Sequence, residues 1–256
     1  CGPVPLPGWR DISYLKPFSD AEFEFYKALY QYDRRPLHSS VDKVDNTSPL
    51  WREETVTFDA AYAGHRVTVH LFLPRTGKPP YQTVIFFPGG NAITDTAFRG
   101  APYRALWQCI VTSGRAVLFP IYYGTYERPS ERGREWTMES IAETPLVYRE
   151  WTTRMAKDLR RSIDYLETRD DIDSRKMGYY GYSFGSLLGP LMLAVEDRIE
   201  TGILVHGGLL PIELPRSFDM ALYAQRVAVP VLMVNGAEDV LLPAEVSQKP
   251  MSRLLQ

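Results

Sequence analysis

The strongest chemical signal in the sequence is a serine between two glycines, in the pentapeptide G-Y-S-F-G at residues 181–185. An apolar, strand-like segment precedes it, and a helix predicted over 186–195 follows it. A serine on a sharp strand-to-helix turn exposes its hydroxyl, and flanking glycines let neighbouring backbone approach without a Cβ clash. The pattern therefore predicts that Ser183 is a nucleophile for acyl transfer and that Gly181 and Gly185 form the turn. The alternative is an ordinary Gly-Ser turn.

A second signal is the loop P-G-G-N at residues 88–91, which directly follows the apolar run 83–87. Acyl transfer to a serine needs two N–H donors about 3 Å from the developing oxyanion. We expect one donor to be the backbone N–H of Phe184, the residue after the serine. The other is predicted to come from Gly90, with Asn91 as the second candidate. Without the serine motif, the same loop would be interpreted as a turn that ends a strand.

A third signal is the acidic segment N-G-A-E-D at residues 235–239, after the apolar strand 229–234. A carboxylate at this point would orient a histidine and stabilise its imidazolium form. Asp239 is the favoured candidate because the G-x-x-D spacing places it just beyond the strand, and Glu238 is the second candidate. The alternative is a capping or surface carboxylate ahead of Pro243.

The elements that must position these residues alternate along the chain. Strands are predicted at 54–59, 65–73, 83–87, 116–120, 176–180, 203–205 and 229–234, and helices at 20–32, 103–113, 145–168, 186–195 and from 243 onward. The first two strands are expected to form an antiparallel hairpin through the turn 61–64. Apolar runs that alternate with helices predict an α/β protein with a mostly parallel sheet covered on both faces.

With these motifs in this order, residues 54–256 resemble the α/β-hydrolase family, and more narrowly its dienelactone-hydrolase and prolyl-oligopeptidase-like branch. The chain is also similar to hydrolase domains of multidomain bacterial proteins, some of which carry a serine/threonine kinase. The resemblance implies a three-layer α/β-hydrolase fold with an eight-stranded, mostly parallel, twisted sheet. It also implies a serine-hydrolase mechanism, since Ser183 precedes Asp239 as the family order requires.

The sequence departs from the family at the general base. In the family a histidine follows the acid, whereas all four histidines of this chain precede Asp239, and 17 residues (256 − 239) follow it. Three interpretations stay open. The sequence is truncated before the last strand and its histidine; or His206, at the end of the strand next to that of Ser183, substitutes as the base; or the domain has lost catalysis. A missing final strand would expose a sheet edge, so marginal stability or dimerisation through that edge is expected.

The substrate-binding residues are less sharply indicated. Tyr122 and Tyr123 follow the strand 116–120, and Tyr182 lies beside the serine, so these three are candidates to line the pocket. A tyrosine-rich loop that packs on the N-terminal segment is an equal alternative for the first two. Excursions at 122–144 and 207–226 are predicted to cap the site.

The excursion at 122–144 carries arginines and glutamates in alternation, which predicts a solvated, charged lid rather than a binding site for an acidic substrate. The arginines are Arg128, Arg132 and Arg134. Residues 1–50, rich in proline and aromatics, are predicted to be an extension packed on a hydrolase domain of residues 51–256.

Composition excludes several classes of protein. The chain has 256 residues, 45% of them hydrophobic, which suits one α/β domain. Its net charge is −2 (29 − 31), so no overall electrostatic field attracts it to nucleic acid or to anionic membranes. No apolar stretch is long enough to span a bilayer, and no metal-ligand cluster, phosphate loop or dinucleotide fingerprint occurs. No cofactor is therefore predicted.

The most direct functional hypothesis is a carboxylesterase that uses an acyl-enzyme. A serine peptidase of the same fold and a non-catalytic binding or regulatory domain are the alternatives. The expected partner is a small-molecule ester or a peptide, with a homodimer or fusion to other domains left open. We expect a cytoplasmic protein, and a lipidated or exported form that begins at Cys1 remains an alternative.

Overall fold

One mixed sheet of eight strands organises the chain, in the order β1-β2-β3-β5-β4-β6-β7-β8. The computed structural model describes residues 9–99, 101–131, 133–134 and 136–255. The strands are β1 Ser40–Asp45, β2 Trp51–Asp59, β3 Arg66–Pro74, β4 Tyr81–Phe87, β5 Ala116–Ile121, β6 Ile172–Tyr182, β7 Ile199–Val205 and β8 Val231–Val234. Strands β4 to β8 run parallel to one another, whereas β1, β2 and β3 are joined by antiparallel pairing, as is β3 to β5. The predicted parallel sheet with an antiparallel hairpin is confirmed.

Helices cover both faces of this sheet. They are α1 Asp20–Lys27, α2 Asn91–Thr94, α3 Arg104–Thr112, α4 Met138–Glu143, α5 Pro145–Leu166, α6 Phe184–Leu187, α7 Gly189–Val195, α8 Met220–Ala224 and α9 Lys249–Leu254. Short 3₁₀ turns occur at Ala28–Tyr30 and Arg216–Phe218, and a π-helical turn at Ala244–Gln248 precedes α9. Among the described residues, no helix combines the length and the apolar character needed to cross a bilayer.

Two separate apolar clusters pack on opposite faces of the sheet and define three layers. On one face, α5 buries a stripe that recurs every three or four residues, including Trp151, Met155 and Leu159. On the other face, Trp107 of α3 packs against Phe72 of β3. Burial from both sides explains why the central strands are continuous apolar runs; all six residues of β5, for example, are buried.

Strand β1 was not predicted from the sequence. Its residues are almost all exposed, and its pairing with β2 shifts register between Val41 and Lys43, so no alternation of apolar and polar residues marks it. The strand it pairs with, β2, follows it in the chain. The strand therefore depends on backbone pairing rather than on a buried face.

The N-terminal segment packs against the part of the chain around α8. Arg10 forms an ion pair with Asp219 at 2.6 Å, and the ring of Phe18 meets Tyr223 edge-on, with ring centroids 5.4 Å apart. Cys1 lies outside the described residues. The division at residue 50 stays a prediction.

At the other edge of the sheet, β8 pairs only with β7 among the described residues. Leu232 and Val234 of β8 are 58% and 48% exposed, respectively. Association through this edge stays a prediction.

Candidate active site

Ser183 occupies a strained turn between β6 and α6. Its φ of 50° and ψ of −108° lie outside the regions that non-glycine residues ordinarily adopt. A Cβ on Gly181 would lie 2.4 Å from the carbonyl oxygen of Gly185, and a Cβ on Gly185 would lie 2.3 Å from that of Phe87. Both positions therefore require glycine. Ser183 is half-buried, and its Oγ makes no hydrogen bond to a described residue.

The loop at 88–91 is tied directly to this turn. The N–H of Gly185 donates to the carbonyl of Pro88 at 3.0 Å. The backbone N–H groups of Phe184, Gly90 and Asn91 donate to no described residue, so they are free to bind a ligand. Open space surrounds Gly90, since a Cβ there would meet nothing within 4 Å.

Tyr103 holds the same loop from its other side. Its hydroxyl donates to the carbonyl of Gly89 at 3.3 Å, and burial raises the pKa of Tyr103 to about 12. The phenol therefore remains a neutral donor under physiological conditions.

His206 lies beside Ser183 because β6 and β7 are adjacent parallel strands. Tyr182 pairs with Val205, and the N–H of Ser183 donates to the carbonyl of Val205 at 2.9 Å. Ser183 and His206 directly follow this last residue pair of β6 and β7. Neighbouring strands in such sheets are about 4.8 Å apart. His206 also has a positive φ, 57°. The two strand ends thus place a serine and a histidine side by side, both in strained backbone conformations.

Asp239 reaches His206 from the loop after β8. Its Oδ2 lies 2.8 Å from Nδ1 of His206. The two atoms are close, but Oδ2 makes no hydrogen bond to the described residues, so the ring nitrogen is not aligned with it. Oδ1 accepts the N–H groups of Leu241 and Leu242, each at 2.9 Å, which fixes the carboxylate.

The second acidic candidate has a different environment. Glu238 is exposed and makes no hydrogen bond or ion pair to a described residue. The side chain of Asp239 is only 5% exposed. The geometry therefore favours Asp239 over Glu238 as the partner of His206. His206 and Asp239 line a shallow cleft of about 680 Å³, together with the rest of the loop 236–241.

The three tyrosines proposed to line the pocket lie in different places. Tyr122 is fully buried and stacks on Phe87 of β4 with centroids 3.9 Å apart, so it has no free surface for a ligand. Tyr123 is also buried, and its hydroxyl donates to Glu131. Only Tyr182 is near the candidate site, with its ring centroid 6.3 Å from that of His206.

The predicted solvated lid is wrong for Arg128 and Arg134. Arg128 forms an ion pair at 2.7 Å with Asp158 of α5, whose side chain is 0% exposed. Arg134 donates to the carbonyls of Ile93 and Asp95, which places it against α2. Arg132 lies outside the described residues. Alternating charge along the chain did not reveal that these arginines have buried partners elsewhere.

Asp158 is a buried acid that the sequence analysis missed. It accepts hydrogen bonds from the N–H of Tyr123 and the hydroxyl of Tyr62, both at 2.8 Å, in addition to Arg128. A signal was present, because Asp158 lies three residues after Met155, within the apolar stripe of α5. A carboxylate in such a stripe needs a buried partner.

The sheet order, the two covered faces and the strained serine turn define an α/β-hydrolase fold. The chain belongs to the dienelactone hydrolase family, whose pattern matches residues 96–254. Among curated proteins, none matches this chain in sequence.

Solved structures share the fold at low identity. An acetyl xylan esterase from Paenibacillus sp. R4 is 18% identical, with a TM-score of 0.69 over 94% of this chain and 86% of that one. Acetyl xylan esterase 1 from Thermoanaerobacterium sp. JW/SL YS485 is 15% identical, with a TM-score of 0.68 over 94% and 85%. A glucuronoyl esterase from Solibacter usitatus is 14% identical, with a TM-score of 0.61 over 92% and 78%.

Proposed function

We propose that this protein is a serine hydrolase that cleaves carboxylic esters through an acyl-enzyme on Ser183. The observation that carries the proposal is the row formed by Ser183, His206 and Asp239, in which the serine is strained and the histidine lies 2.8 Å from the acid. Membership of the dienelactone hydrolase family supports hydrolysis. The esterase names of the structural neighbours make esters the first substrates to test.

In the proposed reaction, Oγ of Ser183 attacks the ester carbonyl while His206 takes its proton. Asp239 orients the imidazole and stabilises its charged form. The N–H groups of Phe184 and Gly90, with Asn91 as the alternative second donor, hold the oxyanion of the tetrahedral intermediate. The intermediate collapses as His206 returns the proton to the leaving alcohol. Water then attacks the acyl-enzyme in the same way and releases the acid and the free serine.

The mutual positions of the serine and histidine side chains are looser than the mechanism needs. Oγ of Ser183 is not hydrogen-bonded to His206. Catalytic hydrogen bonds are often long without substrate and shorten in the reactive complex. We propose that the imidazole turns toward Ser183 when an ester binds, since both backbones already lie side by side.

The experiment is labelling with a fluorophosphonate probe, together with hydrolysis of p-nitrophenyl acetate. We expect the protein to be labelled once and to turn over the ester, and Ser183→Ala to lose both. Ser252→Ala, which changes an exposed serine of α9, is the matched control and should behave as the wild type. A folded wild-type protein that is neither labelled nor active would reject the proposal and favour a binding domain. A p-nitroanilide substrate tests the peptidase alternative.

A further inference from the structure

A second cleft lies at the same end of the sheet as Ser183 but on different strands. It has a volume of about 870 Å³ and lies between the segment 31–38, the β2–β3 turn and α5. Thr68 of β3 pairs with Ile121, so the β2–β3 turn extends beyond the end of β5, where the parallel strands also end. Three strand intervals separate β3 from β6, which is roughly 14 Å. The cleft is therefore separate from the candidate active site.

Cationic side chains dominate the lining of this cleft. Two carboxylates, Asp33 and Asp59, face four basic side chains, which are Arg35, Arg66, Lys157 and Arg161. Asp59 is already engaged, because Arg66 lies 2.6 Å and His38 2.7 Å from its two oxygens. Asp33 lies 3.5 Å from Arg35 at an exposed position. The two acids of the lining are thus paired with Arg66 and Arg35, and Arg161 is paired with Asp164. Lys157 is left without a carboxylate among the described residues.

Two of the arginines in the cleft are fully occupied by the protein itself. Arg161 donates to the carbonyls of Asp59 and Pro36 and to the carboxylate of Asp164. Arg66 donates to Asp59 and to the carbonyl of His38. These contacts join the three walls of the cleft to one another. They give the cleft a fixed shape without filling it.

Lys157 differs from these arginines. It is half-buried on α5, and its ammonium makes no hydrogen bond or ion pair with any described residue. Burial, and then the neighbouring Arg160, lower the pKa of Lys157, and no carboxylate acts in the opposite direction. A partly buried charge without a partner costs free energy, and folded proteins ordinarily pair it. Lys157 therefore presents to an open cavity an ammonium that no described protein group pairs.

We infer that this cleft binds a small oxyanion, a carboxylate or a phosphate group, with Lys157 as its principal charged contact. Arg35, whose exposed contact with Asp33 is 3.5 Å long, lies at the rim as a second cation that an anion in the cleft would attract. An anion at this site would pair the ammonium of Lys157 and complete the charge balance of the lining. The inference does not depend on the proposed esterase activity, because Ser183 takes no part in it.

The test is binding of inorganic phosphate and of citrate to the full chain, at constant ionic strength set with sodium chloride. Saturable binding is measured by calorimetry and by the rise in Tm. We expect at least one of these anions to bind the wild type, and Lys157→Gln to weaken that binding by about tenfold or more. Lys78→Gln, which changes an exposed lysine without a described partner, is the matched control and should bind as the wild type.

The stability of Lys157→Gln in anion-free buffer provides a second readout. Removing an unpaired, half-buried charge should leave the Tm unchanged or raise it. If neither anion binds the wild type, if Lys157→Gln binds as tightly, or if it lowers the Tm in anion-free buffer, the inference is overturned. Binding of phosphate alone identifies a phosphoryl ligand, and binding of citrate alone a carboxylate ligand. Ser183→Ala should keep the same response, which separates this site from the proposed catalysis.

Discussion

Nδ1 of His206 lies 2.8 Å from Oδ2 of Asp239, although the histidine precedes the acid by 33 residues (239 − 206). His206 follows the end of β7, whereas Asp239 lies in the loop after β8. The contact arises because β7 and β8 are adjacent and parallel, and the N–H of His206 donates to the carbonyl of Val234 at the end of β8. Parallel strands bring their carboxyl ends to one edge of a sheet, whatever the order of the residues in the chain. This places a histidine against the acid on the edge that carries Ser183.

The proposed base can be tested by removing it. We expect His206→Ala to lower kcat for p-nitrophenyl acetate by about 10³-fold or more, because no other described histidine lies beside Ser183. Asp239→Asn should lower kcat less, and the double variant should be no worse than His206→Ala alone, since the two act as one unit. Steady-state kinetics on purified variants provide the measurement.

A matched control exists in His38. This residue also has a positive φ, 43°, and also lies beside an aspartate, with Nδ1 2.7 Å from Asp59. It lies away from Ser183, so His38→Ala should leave kcat unchanged. Turnover that survives in His206→Ala would place the base elsewhere.

Gly185, the second glycine of the serine motif, should be irreplaceable for steric reasons. In Gly185→Ala, the new Cβ would lie 2.3 Å from the carbonyl oxygen of Phe87, so the turn and β4 must separate. We expect a loss of about 1–3 kcal/mol in the free energy of unfolding, typical of overpacked interiors, together with loss of fluorophosphonate labelling. Urea denaturation measures the first effect. Gly236→Ala, where a Cβ meets nothing within 4 Å, should change neither, and an equal loss in both variants would contradict this explanation.

The buried ion pair of Arg128 and Asp158 should be important for stability. Arg128→Met leaves the carboxylate of Asp158 buried without its cation, which typically costs about 3–5 kcal/mol. Equilibrium denaturation in urea gives the value. Glu245→Gln, which removes a partner from the exposed pair with Lys249, is the control and should cost about 1 kcal/mol or less. A small effect at Arg128 would show that Tyr62 and Tyr123 satisfy Asp158 without the arginine.

Asp171 should contribute to the free energy of unfolding at neutral pH, and this contribution should disappear at acidic pH. Its hydrogen bonds with Arg169 hold the pKa of Asp171 below its ordinary value of 3.8. Because the folded-state pKa is the lower one, the contribution is complete above 3.8 and disappears as the pH falls through the folded-state value. Asp171→Asn should therefore be less stable than the wild type at neutral pH, by about 1 kcal/mol or less given its partial exposure.

The measurement is urea denaturation of both proteins from about pH 7 to about pH 3. The difference in the free energy of unfolding should stay constant down to the ordinary pKa and shrink below it. A difference that grew on acidification would mean that the pKa of Asp171 is raised in the folded state.

Much of the framework of the candidate site was predictable because its causes are local. A glycine that must let a neighbouring backbone approach and an apolar run between two turns can each be recognised from a few consecutive residues. The helix predicted at 145–168 is observed as α5 at Pro145–Leu166, and the strands around Ser183 are observed where the apolar runs stand. The missed strand β1 had no such mark, since it buries no face.

The sequence by itself determined the α/β architecture, the strained turn at Ser183 and the two acidic candidates after β8, because backbone sterics and hydrophobic periodicity act over short distances. Only the tertiary structure decided which of those acids contacts a histidine and which carboxylate forms the ion pair with Arg128. It also decided which of the candidate tyrosines are buried. Those outcomes depend on the alignment of strands and helices that are far apart in the chain. Ion pairs and burial follow from distances in space, and sequence separation does not encode them.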